Sequence, residues 1–413
     1  MISKLISIGD EILIGQIVNS NASYISERLY RAGIPVNRIV TIGDNENDLI
    51  GELRDSLKNY DLTIITGGLG PTHDDITKSI LVKFFDDKLI KNFEVLKKIK
   101  EIFRIRNIKF PEVNVQQAYV PQKSKIIWNK YGTAPGILYE KFKKVIIALP
   151  GVPFEMKEMM ESEVIPLLIK KFRSSMKTKY RSTTILTTGI SESELFEKLG
   201  NIDNITKQTK LAFLPSLAGI RMRIDASGIN LNEVNAKLSN AEKLIRSKIE
   251  NYIYGKDDDL MEEIIGKILI RKKKTLSVAE SCTGGLLASK ITDISGSSKY
   301  FCGGVCTYTN NSKIDILKVR KNTLKNFGAV SEEVAIEMAV NVKEKFYSDI
   351  GISITGIAGP SGGTKQKPVG TVYIGYSDNK NTFARKFLFG TYRERNRQRA
   401  VMSALIILYN QIF

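Results

Sequence analysis

Four short apolar runs, each closing on glycine or an acid, constrain this chain more than any other feature: "KLISIGDE" at 4–11, "RIVTIGD" at 38–44, "DLTIITGG" at 61–68 and "KVIIALPG" at 144–151. Amphipathic stretches separate them. From Asn21, the apolar positions Ala22, Ile25, Leu29 and Ala32 fall on one helical face before Gly33 supplies a stop, and "NDLIGELRDSLKN" reads as a second helix. Short strands alternating with helices predict a parallel sheet covered by helices. The acids Asp10, Glu11 and Asp44 and the Gly67–Gly68 turn then sit at the C-terminal ends of strands, where open α/β sheets bind ligands.

A chain of 413 residues exceeds one ordinary core, so two or three domains are expected. The pattern changes after about residue 170. Strand, helix, strand and helix within some 80 residues predict a small α+β (KH-like) connector over 171–253, with "NEVNAKLSNAEKLIRSKIEN" as its long helix. A third unit over 254–413 begins with "KDDDLMEEIIGKILIRKKK", where Leu260, Ile264 and Ile268 with Met261, Ile265 and Leu269 form a core-facing stripe. Its three aspartates and its basic end complement a helix dipole. Strands and helices then alternate to the end of the chain. The expected fold class is α/β: an N-terminal three-layer α/β/α domain over 1–170, the connector, and a C-terminal α/β domain.

Composition narrows the functional classes. No apolar run approaches the roughly 18 residues of a membrane span, and acids interrupt the N-terminal apolar stretch where a signal peptide would need its core, so a cytoplasmic protein is expected. Three cysteines, Cys282, Cys302 and Cys306, suit a reducing compartment, and with one histidine in the chain a zinc site is improbable. The net charge of +18 points to an anionic partner, either nucleic acid or phosphorylated small molecules. In segments such as "KNFEVLKKIKEIFRIRNIKF" the lysines read as a solvated helix face.

The stretch "TGGLGPTHDDIT" should run from a strand through a glycine turn into a helix starting near Asp74. Glycines let backbone approach a phosphate, and free N–H groups at a helix start favour an anion. Asp74 and Asp75 could instead be N-terminal caps. With "GDEILIG", "YGTAPG" and "LPGVPFEM", this stretch resembles the N-terminal domain of the CinA (competence/damage-inducible) family, which is related to molybdopterin-binding domains. Those domains carry a "GGTG" turn followed by an aspartate; here Leu69 replaces the threonine, a departure that bears on pterin binding, and Asp75 takes the aspartate position.

The resemblance implies metal-dependent hydrolysis of ADP-ribose to AMP and ribose 5-phosphate. A divalent Mg, Mn or Co ion is the expected cofactor, with potassium as a further candidate. Hard oxygen ligands suit such a cation, and Asp10, Glu11, Asp44, Asp74 and Asp75 are the candidates, with Gly67, Gly68 and Gly70 for the phosphates. His73 reads as a loop residue rather than a base.

The C-terminal unit resembles the nicotinamide mononucleotide deamidase domain of the same family, through "AESCTGG", "ITDISGSSKYF", "GGVCTYTNNSK", "GAVSEEVA", "SITGIAGPSGGTKQKPVGTV" and "GTYRERNRQRA". This domain has no histidine, so a Ser-His-Asp arrangement is excluded, and a lysine made neutral by burial can take its place. The family's catalytic serine, tyrosine and lysine map by motif to Ser298 as nucleophile, Tyr308 as proton relay and Lys313 as base. Ser297 is the alternative serine, and Cys282 reads as a buried thiol under a glycine turn. For substrate, the resemblance and the turn chemistry point to Glu280, Thr283 and Gly284, whose segment opens a helix with free backbone donors. Thr355, Gly356 and the phosphate-matching Arg393 or Arg397 complete the set.

The implied protein is a bifunctional pyridine-nucleotide recycling hydrolase with no cofactor in its deamidase domain. Its expected partners are nicotinamide mononucleotide, ADP-ribose and a second copy of itself in a homodimer. The competing class is a DNA- or molybdopterin-binding protein without catalysis, whose signature would be salt-dependent affinity.

Overall fold

The computed structural model describes residues 1–70, 75–172 and 178–413. It divides into two compact units, one of 1–182 with 225–237 and the other of 183–224 with 238–413. The four apolar runs form the parallel part of a six-stranded sheet, in the order Val36–Ile42, Ser3–Ile8, Leu62–Thr66 and Lys144–Leu149. Gly136–Lys141 and Lys125–Ile127 extend it antiparallel.

The three inner runs are continuous because the sheet is covered on both faces there, so alternate residues enter different cores, whereas the edge strand Val36–Ile42 leaves Ile39 exposed. Leu5, Leu62, Ile64, Val145 and Ile147 pack with Ala22, Ile25 and Leu29 of the helix Ser20–Arg31 and with Met156 to Leu168 of the later helices. Ile6, Ile8, Ile65, Ile146 and Ala148 pack on the other side, with Leu49 and Leu53 of the helix Glu46–Asn59 and Ile80 and Leu81 of Thr77–Phe84. The expected three-layer α/β/α arrangement is present. Lys4 is a charged residue buried in this interior, and it is paired with Glu52 and with Asp55 at 2.6 Å.

The lysine-rich segment forms the helix Phe93–Ile105, which buries only Val95 and Ile99 and leaves its basic residues outside. The connector is a four-stranded sheet in the order Thr209–Pro215, Ile220–Gly228, Lys179–Thr187 and Ile253–Lys256, accompanied by the helices Glu192–Leu199 and Leu231–Ile249.

The C-terminal sheet runs Phe301–Cys306, Leu276–Glu280, Ile350–Gly356, Thr371–Ser377 and Thr382–Leu388, the first three parallel. Helices Met261–Lys272, Leu286–Thr292 and Arg393–Ile412 cover one face, and Asn310–Leu317, Lys321–Phe327 and Glu332–Lys345 the other. The predicted stripe on the first of these buries Met261, Ile265, Ile268 and Leu269.

Two of the three aspartates tie down the turn before that helix. Asp257 accepts from the Thr184 amide at 2.8 Å and Asp259 from the Lys256 amide at 2.9 Å, which pins the preceding turn. Glu262 and Glu263 are the acids of the first helical turn. Among the described residues, no helix is long and apolar enough to cross a membrane.

Candidate functional site

At the tips of the C-terminal sheet, Lys313 lies in the first turn of Asn310–Leu317, a helix started by a Thr309–Ser312 capping box. Its aliphatic stem is packed inside and the residue is 1% exposed. The Nζ donates to Ser281 Oγ at 2.9 Å and to the Thr307 carbonyl at 2.7 Å. Burial pulls the Lys313 ammonium down to about 8, against a small opposing pull from the Cys282 and Cys306 thiols. No carboxylate contacts it among the described residues. A lysine in this state can take a proton from the hydroxyl it touches.

Ser281 is the residue that sequence reasoning passed over. It follows the strand Leu276–Glu280, is 7% exposed, and is held by its amide donating to Ile354 O at 2.9 Å. The signal was present, because Ser281 stands at a C-terminal strand tip, where a doubly covered sheet exposes its ends. Its 32-residue separation from Lys313 carries no periodicity, so only the parallel register, with Glu280 beside Cys306, brings the two together.

That same register moves Ser298 away. Ser298 occupies the turn Ser297–Lys299 just before the strand Phe301–Cys306, whereas Thr307 and Lys313 follow that strand. Six strand residues at about 3.3 Å each put the exposed Ser298, and Ser297 with it, roughly 20 Å from Lys313 within this chain. The expected Ser298–Lys313 contact is therefore corrected to Ser281–Lys313. Tyr308 does reach the same edge: it is 57% exposed, and its hydroxyl accepts from Arg393 at 3.0 Å. Arg393 also donates to Gly359 O at 2.8 Å, and Arg397 to Thr283 O at 2.7 Å, so both arginines are anchored at this edge.

Glu280 and the helix start after it also need correcting. The Glu280 carboxylate accepts from the amides of Gly285, Leu287 and Ala288 at 3.1, 3.0 and 2.8 Å, so it caps the helix Leu286–Thr292 and takes up donors expected for a phosphate. Thr355 turns its hydroxyl to Ala329 O at 2.7 Å, and Gly356 is crowded by Val372, whose Cγ2 would lie 2.7 Å from an added Cβ. Gly284 holds a left-handed φ of +62° beside Arg397. Cys282 is buried and its thiol is pushed up to about 11 by that burial, which disfavours a thiolate nucleophile. Thr283 and Thr307 are fully buried, and their hydroxyls have no partner among the described residues, leaving hydrogen-bonding capacity beside the Ser281–Lys313 pair.

The tips of the N-terminal sheet enclose a cleft of about 410 Å³ lined by Glu11, Asp44, Gly67 to Gly70, Asp75 and Glu155. Gly67 is confined to glycine: its φ is +108°, and an added Cβ would lie 2.3 Å from the Ile8 carbonyl. The helix begins at Thr77 rather than near Asp74, tied down by Thr77 Oγ1 donating to Gly67 O at 2.9 Å and its amide to Gly68 O at 3.1 Å. A Cβ on Gly70 would fall 2.4 Å from the Asp75 carboxylate, so turn and acid are in close approach.

Asp10 points elsewhere. It accepts from the Asp44 amide at 3.3 Å while Asp44 accepts from the Asp10 amide at 3.2 Å, a brace between two strand tips. His73 and Asp74 lie outside the described residues. Sequence reasoning also missed Glu155, which accepts from Asn129 at 2.7 Å, and Lys78, whose ammonium is lowered by burial and held up by Asp75. The carboxylates offer hard oxygen donors of the right chemistry for Mg or Mn, but among the described residues no three of them gather into a metal-holding group.

Family comparisons agree with this architecture. Residues 4–170 match a probable molybdopterin binding domain, 182–255 the damage-inducible protein CinA KH domain, and 258–412 the CinA C-terminal domain. A CinA-like protein of Flavobacterium psychrophilum is 42% identical over 416 residues, covering 100% of this chain and 99% of that one. Another, from Chloroherpeton thalassium, is 42% identical over 414 residues and covers 98% of each. A crystal structure of the competence/damage inducible protein CihA from Agrobacterium tumefaciens is 36% identical over 37% of this chain and 96% of its own, with a TM-score of 0.35. With its molybdopterin-binding-like, KH-like and C-terminal domains in family order, and relatives matching from end to end, this chain belongs to the CinA family.

Proposed function

We propose that the C-terminal domain is an amidohydrolase that converts nicotinamide mononucleotide to nicotinate mononucleotide and ammonia, with Ser281 as nucleophile and Lys313 as its base. The observation that carries this reading is the buried 2.9 Å contact between Lys313 Nζ and Ser281 Oγ, at an ammonium already drawn toward neutrality. Neutral Lys313 takes the Ser281 proton as Oγ bonds to the carboxamide carbon. The resulting ammonium returns that proton to the nitrogen as the C–N bond breaks and ammonia leaves. Water then attacks the acyl-serine, Lys313 again accepts the proton, and the carboxylate departs as Ser281 Oγ is reprotonated. Tyr308 and Arg393 form a hydrogen-bonded pair at the open side of the edge, where the nucleotide phosphate would be met by guanidinium.

Ammonia release from nicotinamide mononucleotide tests the assignment. Ser281→Ala should abolish it and Ser298→Ala should leave it near wild type. The reverse outcome would return the nucleophile to Ser298, and a folded wild type that releases no ammonia would sink the amidohydrolase reading.

For the N-terminal domain we propose a phosphorylated-nucleotide cleft, with ADP-ribose as substrate. Its support is the glycine turn Gly67–Gly70 facing Glu11, Asp44 and Asp75 across one cavity. Because the described carboxylates do not converge on a cation position, no hydrolytic step is derived for it. AMP formation from ADP-ribose, assayed with Mg, Mn or Co and with Asp75→Asn beside the wild type, decides whether the cleft is catalytic. Turnover lost in Asp75→Asn supports it, and no turnover with any metal leaves the cleft a binding site only.

A further inference from the structure

Next to the C-terminal edge, and sharing Arg397 with it, a pocket of about 370 Å³ opens on the helical face of the C-terminal domain. It lies among the helices Met261–Lys272, Leu286–Thr292 and Arg393–Ile412, and Leu217, from the loop between Thr209–Pro215 and Ile220–Gly228, reaches it. Arg397, Val401 and Leu405 are spaced one turn apart, so the pocket follows one helix face away from the strand tips. Leu286, Met402 and Leu405 give it apolar walls.

Four charged residues interrupt those walls, Glu262, Lys290, Arg397 and Glu394, the last exposed in the first turn of its helix. Glu262 is 7% exposed, and its ion pair with Lys290 spans 3.8 Å, too long for a hydrogen bond, so the carboxylate keeps accepting capacity. A pocket serving only to pack helices would not hold a carboxylate at this depth. Arg397 lines the pocket and also donates from Nε and Nη2 to the Thr283 carbonyl at 3.2 and 2.7 Å, in the loop that begins with Ser281.

We propose that this pocket is a regulatory site for a nucleoside monophosphate, distinct from the Ser281–Lys313 contact and joined to that edge through Arg397. Its chemistry asks for three things together: a flat apolar ring for the aliphatic walls, N–H or O–H donors for Glu262, and an anion for Lys290 and Arg397. A simple anion leaves the walls unfilled, and a purely apolar ligand leaves Glu262 buried against carbon. The base lies along Leu286 and Met402, base or ribose donors meet Glu262, and the phosphate meets the two cations. A phosphate drawing on Arg397 competes with the Thr283 carbonyl, so occupancy alters the loop that carries Ser281. That regulatory half rests on the amidohydrolase reading, whereas binding itself does not.

Calorimetric titration of the full chain with AMP tests the site, read as the difference between wild type and pocket variants, since the N-terminal cleft is the same in all of them. Lys290→Glu should weaken AMP binding by about tenfold or more, and Met402→Trp, which fills the pocket, should remove it. Both should keep ammonia release in the absence of AMP while losing its response to AMP. Unchanged AMP affinity in both folded variants would overturn the proposal. So would a parallel rise in the half-saturating concentration of nicotinamide mononucleotide, since the pocket would then be part of the substrate site. If Met402→Trp does not fold, Lys290→Glu and Glu262→Gln decide by the same criteria. A wild type without ammonia release defeats only the amidohydrolase reading, because the titration still reports on the pocket.

Discussion

The two covered sheets of this protein are built by the same rule and end in very different edges. At the N-terminal sheet, glycines and carboxylates border an open cleft, and its acids serve partly to brace the tips, as Asp10 and Asp44 do through each other's amides. At the C-terminal sheet, Lys313 is buried against a hydroxyl and a carbonyl, and Glu280, at the tip of the neighbouring strand, is spent on capping a helix. Shared architecture therefore sets where ligands meet the fold, and burial of individual groups sets what can happen there. The buried edge holds a lysine hydrogen-bonded to a serine, whereas among the described residues the open edge has no three carboxylates gathered together.

Substitutions can break this contrast. The largest effect is expected at Ser281: Ser281→Ala should lower ammonia release by about a thousandfold or more, while the same change at Ser298 should do little. Lys313→Met should cost about a hundredfold or more. The pH profile of the wild type sharpens that result. Because Lys313 must lose its proton to act as base, kcat/KM should rise with pH, pass half-maximum near 8 and level off above it; activity is thus lost as pH falls through that value. A profile flat from pH 6 to 9 would remove Lys313 as the base. Tyr308→Phe keeps the ring and loses the acceptor of Arg393, so an effect of about tenfold or less is expected, chiefly on the half-saturating concentration.

Two stability measurements probe the edges as structure. Glu280→Ala leaves three helix-start amides without their carboxylate and should cost about 1–3 kcal/mol in denaturant unfolding of the C-terminal unit. Gly67→Ala meets the Ile8 carbonyl at a left-handed φ and should cost about 1–3 kcal/mol in the N-terminal unit, leaving ammonia release intact. Ammonia release lost together with the Gly67→Ala transition would show that the two edges do not work independently.

Much of the fold was legible in the chain. The apolar runs at 4–8, 61–66 and 144–149, and the helical face of Ala22, Ile25 and Leu29, announced doubly covered strands and their helices, because burial on both faces demands apolar residues, while the similar run at 38–42 became a partly exposed edge strand. The site was legible only in part. Lys313, Tyr308, Arg393 and Arg397 do reach one edge, but Ser298, mapped to its role by motif, is carried to the other end of the sheet by the fifteen residues and one strand that separate it from Lys313. Glu280 was taken for a ligand because a sequence does not reveal which amides a carboxylate will face.

By itself, then, the sequence determined the strand and helix alternation, the glycine turns at strand tips and the absence of a histidine from the C-terminal domain, since these depend on local periodicity and composition. Only the tertiary structure decided that Ser281 meets Lys313, that Glu280 closes a helix and that Lys313 is driven toward its neutral form. Each of these depends on strand register and on burial, and both arise from contacts between residues far apart in the chain.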